Sequence, residues 1–248
     1  MDFQKAARLL LDARISGQHI AALPEDARPV SDADSYAIQD AQMRALGPTG
    51  GWKVGARAPD AEPSCGPLPA SLILRSPQRF APGRFPLHLV EAELAFTLAR
   101  DLPPRTAPYT EVDVLGALAS LHATIEVLDS RYSDFRIVAG PSLLADFLSN
   151  GALVVGPART AALRIDQTCT RLQVYCNDAP ALDVTGGNAA GDVFRLLVWL
   201  ANHATKRCGG LRAGAVITTG SCIGGYQVAP GTRVRAVFDG VPPVEATV

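Results

Sequence analysis

The sequence predicts a mixed α+β fold, rich in strands, with helices at its N-terminus and around its periphery. Segments with strand character outnumber helical ones, and helices interrupt them without the regular β–α alternation of a doubly wound sheet. The chain has 248 residues, enough to bury a sizeable core. We expect an N-terminal helical region over residues 1–48, packed on a main domain over residues 49–248.

Two helices are predicted before residue 48. In residues 2–16, apolar side chains recur at helical spacing, with Asp2 as a plausible N-cap and Gly17 at the end. Residues 31–46 begin with Ser31-Asp32-Ala33-Asp34, which resembles a capping box. The glycine-rich stretch 47–51 then predicts a break.

The main domain is predicted to begin with a long loop. Residues 59–86 are rich in proline and show no clear period, apart from a short apolar piece at 68–74. The elements predicted after the loop are strands at 89–99, 123–129, 151–156, 171–176, 215–219, 232–238 and the C-terminal residues, and helices at 110–119, 142–149 and 189–206.

Charge and cysteine content exclude several classes of protein. There are 23 Lys and Arg against 24 Asp and Glu, so no basic excess is present to neutralise nucleic-acid phosphates. The charged N-terminal segment does not resemble a signal peptide, and no apolar run reaches the ~18–20 residues of a membrane span. Five cysteines without a Cys-x-x-Cys pair indicate reduced thiols. We expect a cytoplasmic protein that binds neither nucleic acid nor membrane.

Two carboxylates stand out in the apolar strand predicted at 89–99. Because side chains alternate along a strand, Glu91 and Glu93 point to the same side, about 7 Å apart along the backbone. Their neighbours Val90, Ala92 and Leu94 form the apolar side. Burial would raise the pKa of at least one of the two carboxyl groups unless a cation compensates their charge.

A third carboxylate, Glu126, lies between Ile125 and Val127 in another predicted strand. An ionised carboxylate there costs several kcal/mol unless it is paired or bound to metal. Together with Glu91 and Glu93 it could form an all-oxygen site for Mg²⁺ or Mn²⁺. Spacing alone leaves an alternative, in which these residues lie on a solvent-facing strand edge and Glu126 pairs with Arg131.

Lys53 is the fourth notable charge, in the apolar stretch Gly50–Gly55. A buried lysine can transfer protons near neutral pH, because burial lowers the pKa of its ammonium group. The alternative is a lysine that covers Trp52 with its aliphatic chain. Ser221, on a glycine-rich turn, could serve as a hydroxyl donor, although the leading glycine of a nucleophile elbow is missing.

Eight short segments form an ordered set between residues 36 and 235. They are Tyr36–Gln39, Gly51–Gly55, Val90–Phe96, Ile125–Arg131, Leu143–Asp146, Val198–Asn202, Leu211–Gly214 and Thr219–Ser221. In this order they resemble the 2-keto-4-pentenoate (2-hydroxypenta-2,4-dienoate) hydratases of aromatic meta-cleavage pathways, which belong to the fumarylacetoacetase superfamily.

The resemblance implies a β-rich roll of the fumarylacetoacetase C-terminal type, with an N-terminal helical part and peripheral helices. It implies a Mg²⁺ or Mn²⁺ ion on Glu91, Glu93 and Glu126, and Lys53 as the catalytic acid/base. Ser221 and the region of Gly220 would hold the substrate carboxylate or the enolate oxygen. It also implies a homo-oligomer, with a decarboxylase of the same pathway as a further partner.

The implied reaction adds water to a 2-hydroxy-2,4-dienoate or 2-oxo-3-enoate and yields a 4-hydroxy-2-oxo acid. Three alternatives remain open. The first is an enzyme like 4-oxalocrotonate decarboxylase, which shares these motifs, and the second is a fumarylacetoacetase-like hydrolase of acylpyruvates. The hydrolase needs a His/Glu pair to activate water, and none is evident in the matched segments. The third alternative is an inactive paralogue.

Two segments depart from the family pattern. A Leu-Thr-Ser-like stretch usually follows the position of Gly55, whereas this chain has Ala56–Pro59, in which Arg57 could recognise a second carboxylate. The family motif Ala-Asp-Asn-Ala-Ser-Ser corresponds here to Ala145–Asn150. Phe147 stands in the place of the asparagine, which would make the pocket more apolar.

Overall fold

The computed structural model describes residues 1–248 as two sheets with five α-helices. The helices are α1 Phe3–Ser16, α2 Asp32–Leu46, α3 Glu111–Leu115, α4 Gly140–Ala145 and α5 Val193–Arg207. The strands are β1 Thr49–Gly55, β2 Ser64–Pro69, β3 Ile73–Arg75, β4 Gln78–Arg79, β5 Leu89–Leu98, β6 Leu118–Leu128, β7 Asn150–Val155, β8 Arg171–Cys176, β9 Ala179–Thr185, β10 Val216–Ser221, β11 Tyr226–Gln227, β12 Arg233–Phe238 and β13 Val244–Thr247. No helix combines the length and the apolar character that crossing a membrane requires.

The two N-terminal helices form where their capping residues predict them. Asp2 accepts a hydrogen bond from the Lys5 amide at the start of α1, and Gly17 ends the helix with a left-handed φ of 71°. Ser31 and Asp34 close a capping box at the start of α2. Both helices bury apolar side chains in a small core that also includes Tyr132, after β6. The division into two regions at residue 48 stays a prediction.

The larger sheet has eight strands in the order β2-β1-β10-β5-β6-β7-β3, with β11 paired to β5. The long antiparallel pair β5 and β6 lies near its centre, and β1 runs parallel to β10. Residues of β1, β10, β5 and β6 are therefore neighbours across one sheet, although they come from distant parts of the chain. Gly51 allows the close approach of β1, because a Cβ there would lie 2.2 Å from the Val216 carbonyl oxygen.

The smaller sheet has five strands in the order β4-β13-β12-β8-β9. Its strands β8, β12 and β13 were predicted, whereas β9 was not. Strand β9 is an edge strand whose side chains are half-buried or exposed, so it lacks the apolar run that marks a buried strand.

The long loop predicted over residues 59–86 is wrong in part, because it contains β2, β3 and β4. Strand β2 carries Pro67 and Pro69 and lies at the edge of the larger sheet, where a missing N–H group is tolerated. Strands β3 and β4 have three and two residues, too few to show a period.

Helix boundaries in the middle of the chain also differ from the prediction. Helix α3 ends at Leu115, and Leu118 already belongs to β6. Strand β6 is buried along nearly its whole length, so its first residues show no alternation. The predicted helix 110–119 therefore includes Leu118 and Ala119, and the predicted strand begins only at residue 123. Helix α4 ends at Ala145, because the three residues 147–149 adopt left-handed backbone angles.

Candidate active site

Three carboxylates meet at the centre of the larger sheet. Glu91 and Glu93 lie on one side of β5, and Glu126 on β6 is directly opposite Glu91. Carboxylate oxygens of the three residues lie within 4.8 Å of one another. Glu93 and Glu126 are only 1% and 0% exposed. The alternative of a solvent-facing edge with Glu126 paired to Arg131 is wrong, since Arg131 pairs with Asp146 instead.

This arrangement raises the pKa values of the carboxyl groups of Glu91 and Glu93. Burial raises the pKa of Glu91 to about 7, and the charge of Glu126 adds to the rise. Burial and the same neighbour raise the pKa of Glu93 to about 8, although the Thr218 hydroxyl donates a hydrogen bond to this carboxylate. With these raised pKa values, Glu91 and Glu93 are partly protonated near neutral pH unless a cation compensates their charge.

The donor set fits a hard divalent cation. The Oε1 atom of Glu126 accepts hydrogen bonds from Lys53 Nζ at 2.6 Å and Asn150 Nδ2 at 2.9 Å. The Oε2 atom of Glu126 is buried and has no hydrogen-bond partner. A buried, unpartnered carboxylate oxygen beside two more carboxylates is a costly arrangement that a bound cation would relieve. All donors are oxygens, which Mg²⁺, Ca²⁺ and Mn²⁺ prefer.

Lys53 projects from β1 towards this cluster, and its side chain is 12% exposed. Its ammonium group donates to Glu126 and, at 3.0 Å, to the carbonyl oxygen of Leu148. Burial alone would lower the pKa of Lys53, but the charges of Glu126, Glu91 and Glu93 raise it above its ordinary value. Lys53 does not cover Trp52, whose ring faces the Arg207 guanidinium at 5.4 Å.

Ser221 and Gly220 lie at the end of β10, beside the carboxylates. Ser221 is the register partner of Glu93, and its hydroxyl donates to the Gly224 carbonyl at 3.2 Å, in the turn after the strand. When this single O–H group turns to Glu91 instead, its hydrogen bond lowers the pKa of that carboxyl group against the effect of burial. Gly220 has a φ of 92°, a left-handed angle that glycine adopts without strain. A Cβ added at Gly220 would lie 3.8 Å from the side-chain amide nitrogen of Asn188.

A cavity of about 530 Å³ is lined by Leu148, whose carbonyl accepts from Lys53, whereas Lys53 itself and the three glutamates do not line it. Arg57 lines it too, is exposed and makes no ion pair. The cavity is lined by Asp32, Gly55, Ala56, Arg57, Ala61, Glu62, Ser64, Gly140, Pro141, Leu144 and Leu148.

The expectation that Phe147 makes the substrate pocket more apolar stays a prediction. Phe147 is fully buried with its ring facing the Arg14 guanidinium at 5.4 Å, and it does not line the cavity. Leu148 lines the cavity instead. The left-handed angles at both residues change the course of the chain at this point, which a motif comparison does not register.

Sequence reasoning missed three groups at the site. Thr218 lies on a predicted strand, but its contact with Glu93 depends on the pairing of β10 with β5. The Leu148 carbonyl is a backbone group, so the identity of the residue gives no indication that it accepts a hydrogen bond at the site. Asn150 was visible as a polar residue just before a predicted apolar strand, which is the one signal that could have marked it.

Comparisons with known proteins find close to full-length similarity to one group of enzymes. The chain is 30% identical over 256 residues to 2-keto-4-pentenoate hydratase 1 of Dechloromonas aromatica (strain RCB), covering 98% of this chain and 95% of that protein. It is 31% identical over 255 residues to a 2-keto-4-pentenoate hydratase of Burkholderia vietnamiensis (strain G4 / LMG 22486), covering 98% and 95%. A 4-oxalocrotonate decarboxylase of Pseudomonas sp. is 28% identical over 147 residues, covering 59% and 55%. No protein-family model matches the chain.

Solved structures confirm the predicted fold. The 4-oxalocrotonate decarboxylase from Pseudomonas putida G7, complexed with magnesium and adipate, superimposes with a TM-score of 0.81 at 22% identity, covering 99% of this chain and 96% of that one. A fumarylacetoacetate hydrolase family protein from Yersinia pestis CO92 gives a TM-score of 0.57 at 17% identity, covering 81% and 92%. The mixed, strand-rich architecture predicted from the sequence is that of these proteins.

Proposed function

The chain belongs to the 2-keto-4-pentenoate hydratase family and is a hydro-lyase, and from this premise we propose its substrate and its site. The substrate is a 2-hydroxy-2,4-dienoate or 2-oxo-3-enoate of aromatic meta-cleavage catabolism, and the product is a 4-hydroxy-2-oxo acid. The observation that carries the proposal is the buried cluster of Glu91, Glu93 and Glu126, with Lys53 hydrogen-bonded to one of its carboxylates.

Glu91, Glu93 and Glu126 would hold a Mg²⁺ or Mn²⁺ ion. When bound, such an ion supplies Lewis acidity towards the carboxylate and 2-oxo group of the substrate. The three side chains contribute a fixed, water-poor set of negative charges on neighbouring strands, so little rearrangement is needed to bind the cation. Thr218 and Lys53 hold Glu93 and Glu126 through hydrogen bonds, which fixes their orientation.

Lys53 is the proposed acid/base. An ammonium group has three N–H donors, and two of them point to Glu126 and to the Leu148 carbonyl. The third remains for the substrate, beside the cavity that Leu148 lines. The carboxylate charges that raise the pKa of Lys53 keep the group protonated before the substrate arrives, so it can donate the proton that converts a dienol into its keto form. A bound cation would offset those charges and bring the pKa of the ammonium group closer to the working pH, where proton transfer is efficient. Water then adds at C4 of the conjugated enone.

Ser221 and the backbone near Gly220 are the proposed contacts for the substrate carboxylate or the enolate oxygen. Ser221 lies beside both β5 carboxylates, at the end of β10. A hydroxyl donor at this position would stabilise negative charge that develops on the substrate oxygen during proton transfer.

A decarboxylase is the second candidate, and Arg57 favours it. Its guanidinium has no carboxylate partner and lines the cavity next to Lys53, where a dicarboxylic substrate could present its second charge. A hydrolase is less well supported. His122 has both ring nitrogens occupied, by the Gly156 carbonyl on one side and the Thr97 and Ser120 hydroxyls on the other. It is therefore not paired with a glutamate that could activate water.

The test offers the purified protein two substrates. The protein is stripped of metal, reloaded with Mg²⁺ or Mn²⁺, and mixed with 2-hydroxypenta-2,4-dienoate or 2-oxo-3-hexenedioate. Absorbance follows the loss of dienol or enone, and mass spectrometry separates gain of water from loss of CO₂. We expect metal-dependent gain of water from the dienoate. Loss of CO₂ alone would identify the decarboxylase, and turnover of neither substrate with metal bound would exclude both lyases.

We further propose that the chain forms a homo-oligomer in the cytoplasm and works beside a decarboxylase of the same pathway. Apolar residues make up 48% of the chain, and Ile15, Val30, Val112 and Ile137 are large apolar side chains more than three-quarters exposed. Such surface is often buried between subunits. Light scattering after size exclusion measures the assembly, and a monomer at all concentrations would contradict it.

A further inference from the structure

The chain between α4 and β7 has unusual backbone angles. Phe147, Leu148 and Ser149 have φ values of 53°, 53° and 61°, and none of them is glycine. Left-handed angles are unfavourable for L-residues, so a run of three persists only where its surroundings hold it. The run ends at Asn150, the first residue of β7, which is completely buried.

This turn contacts both members of the Lys53–Glu126 pair. The Leu148 carbonyl oxygen accepts a hydrogen bond from Lys53 Nζ at 3.0 Å. Two residues later, Asn150 Nδ2 donates to Glu126 Oε1 at 2.9 Å. One short segment therefore sets the position of the proposed acid/base and of one proposed metal ligand.

One buried arginine, Arg131, and one half-buried arginine, Arg14, anchor the backbone at Asn150. Its carbonyl oxygen accepts from Arg131 Nη1 at 3.1 Å and from Arg14 Nη2, on α1, at 3.2 Å. Arg131 is itself paired with the fully buried Asp146, at the start of the turn. These hydrogen bonds fix the backbone of Asn150, and its side-chain amide then points to Glu126.

Building on the proposed metal site, we propose that Asn150 is a positioning residue for Glu126. Its amide and the Lys53 ammonium bind the same carboxylate oxygen, Oε1, and this leaves Oε2 free of protein partners for a divalent cation. Without the amide, the carboxylate can rotate and present both oxygens to the ammonium of Lys53. Lys53 would then compete with the cation for the oxygen that the cation needs.

The test measures metal binding alone, by electron paramagnetic resonance of free Mn²⁺. Asn150→Ala removes the amide, and Asn150→Leu keeps about the same side-chain volume without an N–H donor. We expect each variant to raise the Kd for Mn²⁺ about 10–100-fold, the range typical of outer-shell changes, while it remains folded by circular dichroism.

Gln42→Ala is the matched control. Gln42 is also a fully buried amide and donates to the Ala145 carbonyl at 2.8 Å, but it makes no hydrogen bond to Glu126 or Lys53. The proposal is overturned if either folded Asn150 variant binds Mn²⁺ within twofold of the parent protein, or if Gln42→Ala weakens binding equally. Parent protein that binds Mn²⁺ without hydrating the dienoate would contradict the proposed reaction and leave the role of Asn150 standing. Parent protein that fails to bind Mn²⁺ would overturn both.

Discussion

The Lys53 ammonium lies 2.6 Å from a carboxylate oxygen of Glu126, in a pair that is almost entirely shielded from water. Removal of one partner from such a pair typically costs about 3–5 kcal/mol, because the other charge stays buried and uncompensated. In this protein the same carboxylate also belongs to the acidic cluster. The proposed acid/base and the proposed cation therefore share the side chain of Glu126. We expect a substitution of Lys53 to change cation affinity, and cation binding to change the pKa of Lys53.

Replacement of Lys53 by methionine tests the acid/base role. We expect kcat for hydration to fall by about 10²–10⁴-fold, since a positioned general acid typically contributes that much. Mn²⁺ binding should persist and become tighter, because the cation no longer shares Glu126 with an ammonium group. Lys5→Met is the control, since Lys5 pairs with Asp26 in exposed surroundings away from the cluster. A kcat of Lys53→Met within threefold of the parent value would rule out the role.

Replacement of Glu93 by glutamine tests the metal site. The change keeps the shape of the side chain and removes its charge, so we expect Mn²⁺ affinity to fall by more than the roughly 100-fold upper range of outer-shell changes. Activity should be lost with the metal. Glu245→Gln is the control, because Glu245 faces Arg235 at 3.5 Å on the smaller sheet. Full activity of Glu93→Gln after metal removal would contradict the proposal.

The pKa values of Glu91 and Glu93, raised to about 7 and about 8, predict how the metal-free protein responds to pH. Raised carboxyl pKa values mean that the folded state binds more protons than the unfolded state between about pH 4.5 and about pH 8. The free energy of unfolding should therefore fall as pH rises through this window. Melting temperatures of chelator-treated protein measure the effect.

Added Mg²⁺ should restore the melting temperature more strongly as pH rises from 5 to 8, because fewer protons then compete with the cation for the carboxylates. The Glu93→Gln variant should show a flatter pH dependence without metal, since one titrating group is gone. A metal-free melting temperature that rises steadily from pH 5 to pH 8 would show that other groups dominate the response.

The strand pattern of β5 was enough to predict that Glu91 and Glu93 share one side. That inference needs only the alternation of side chains along a single strand. The partners of Glu126 could not be predicted in this way. Lys53 lies 73 positions away in the sequence. It reaches Glu126 because the strand order β1-β10-β5-β6 brings their two strands, β1 and β6, into the same part of the sheet. Strand order is a property of the whole chain, and no local pattern in Gly50–Gly55 encodes it.

The turn at residues 147–149 shows a second limit of sequence reasoning. Left-handed angles are usually marked by glycine or asparagine, and this run contains neither. The angles are imposed by tertiary contacts, among them the hydrogen bonds of Arg131 and Arg14 to the Asn150 carbonyl. The motif alignment placed Phe147 at the pocket, whereas the structure places Leu148 at the neighbouring cavity.

Replacement of Arg57 by alanine separates the two lyase reactions through substrate charge. If the exposed guanidinium receives a second carboxylate, the variant should raise KM for 2-oxo-3-hexenedioate about tenfold, equivalent to about 1.4 kcal/mol of lost binding. The KM for 2-hydroxypenta-2,4-dienoate should not change, because that substrate has no second charge. Arg136→Ala is the matched control, an exposed arginine that pairs only with Asp134 and does not line the cavity. Equal KM values for the dicarboxylate in both variants would remove Arg57 from the site and, with it, the observation that favours a decarboxylase.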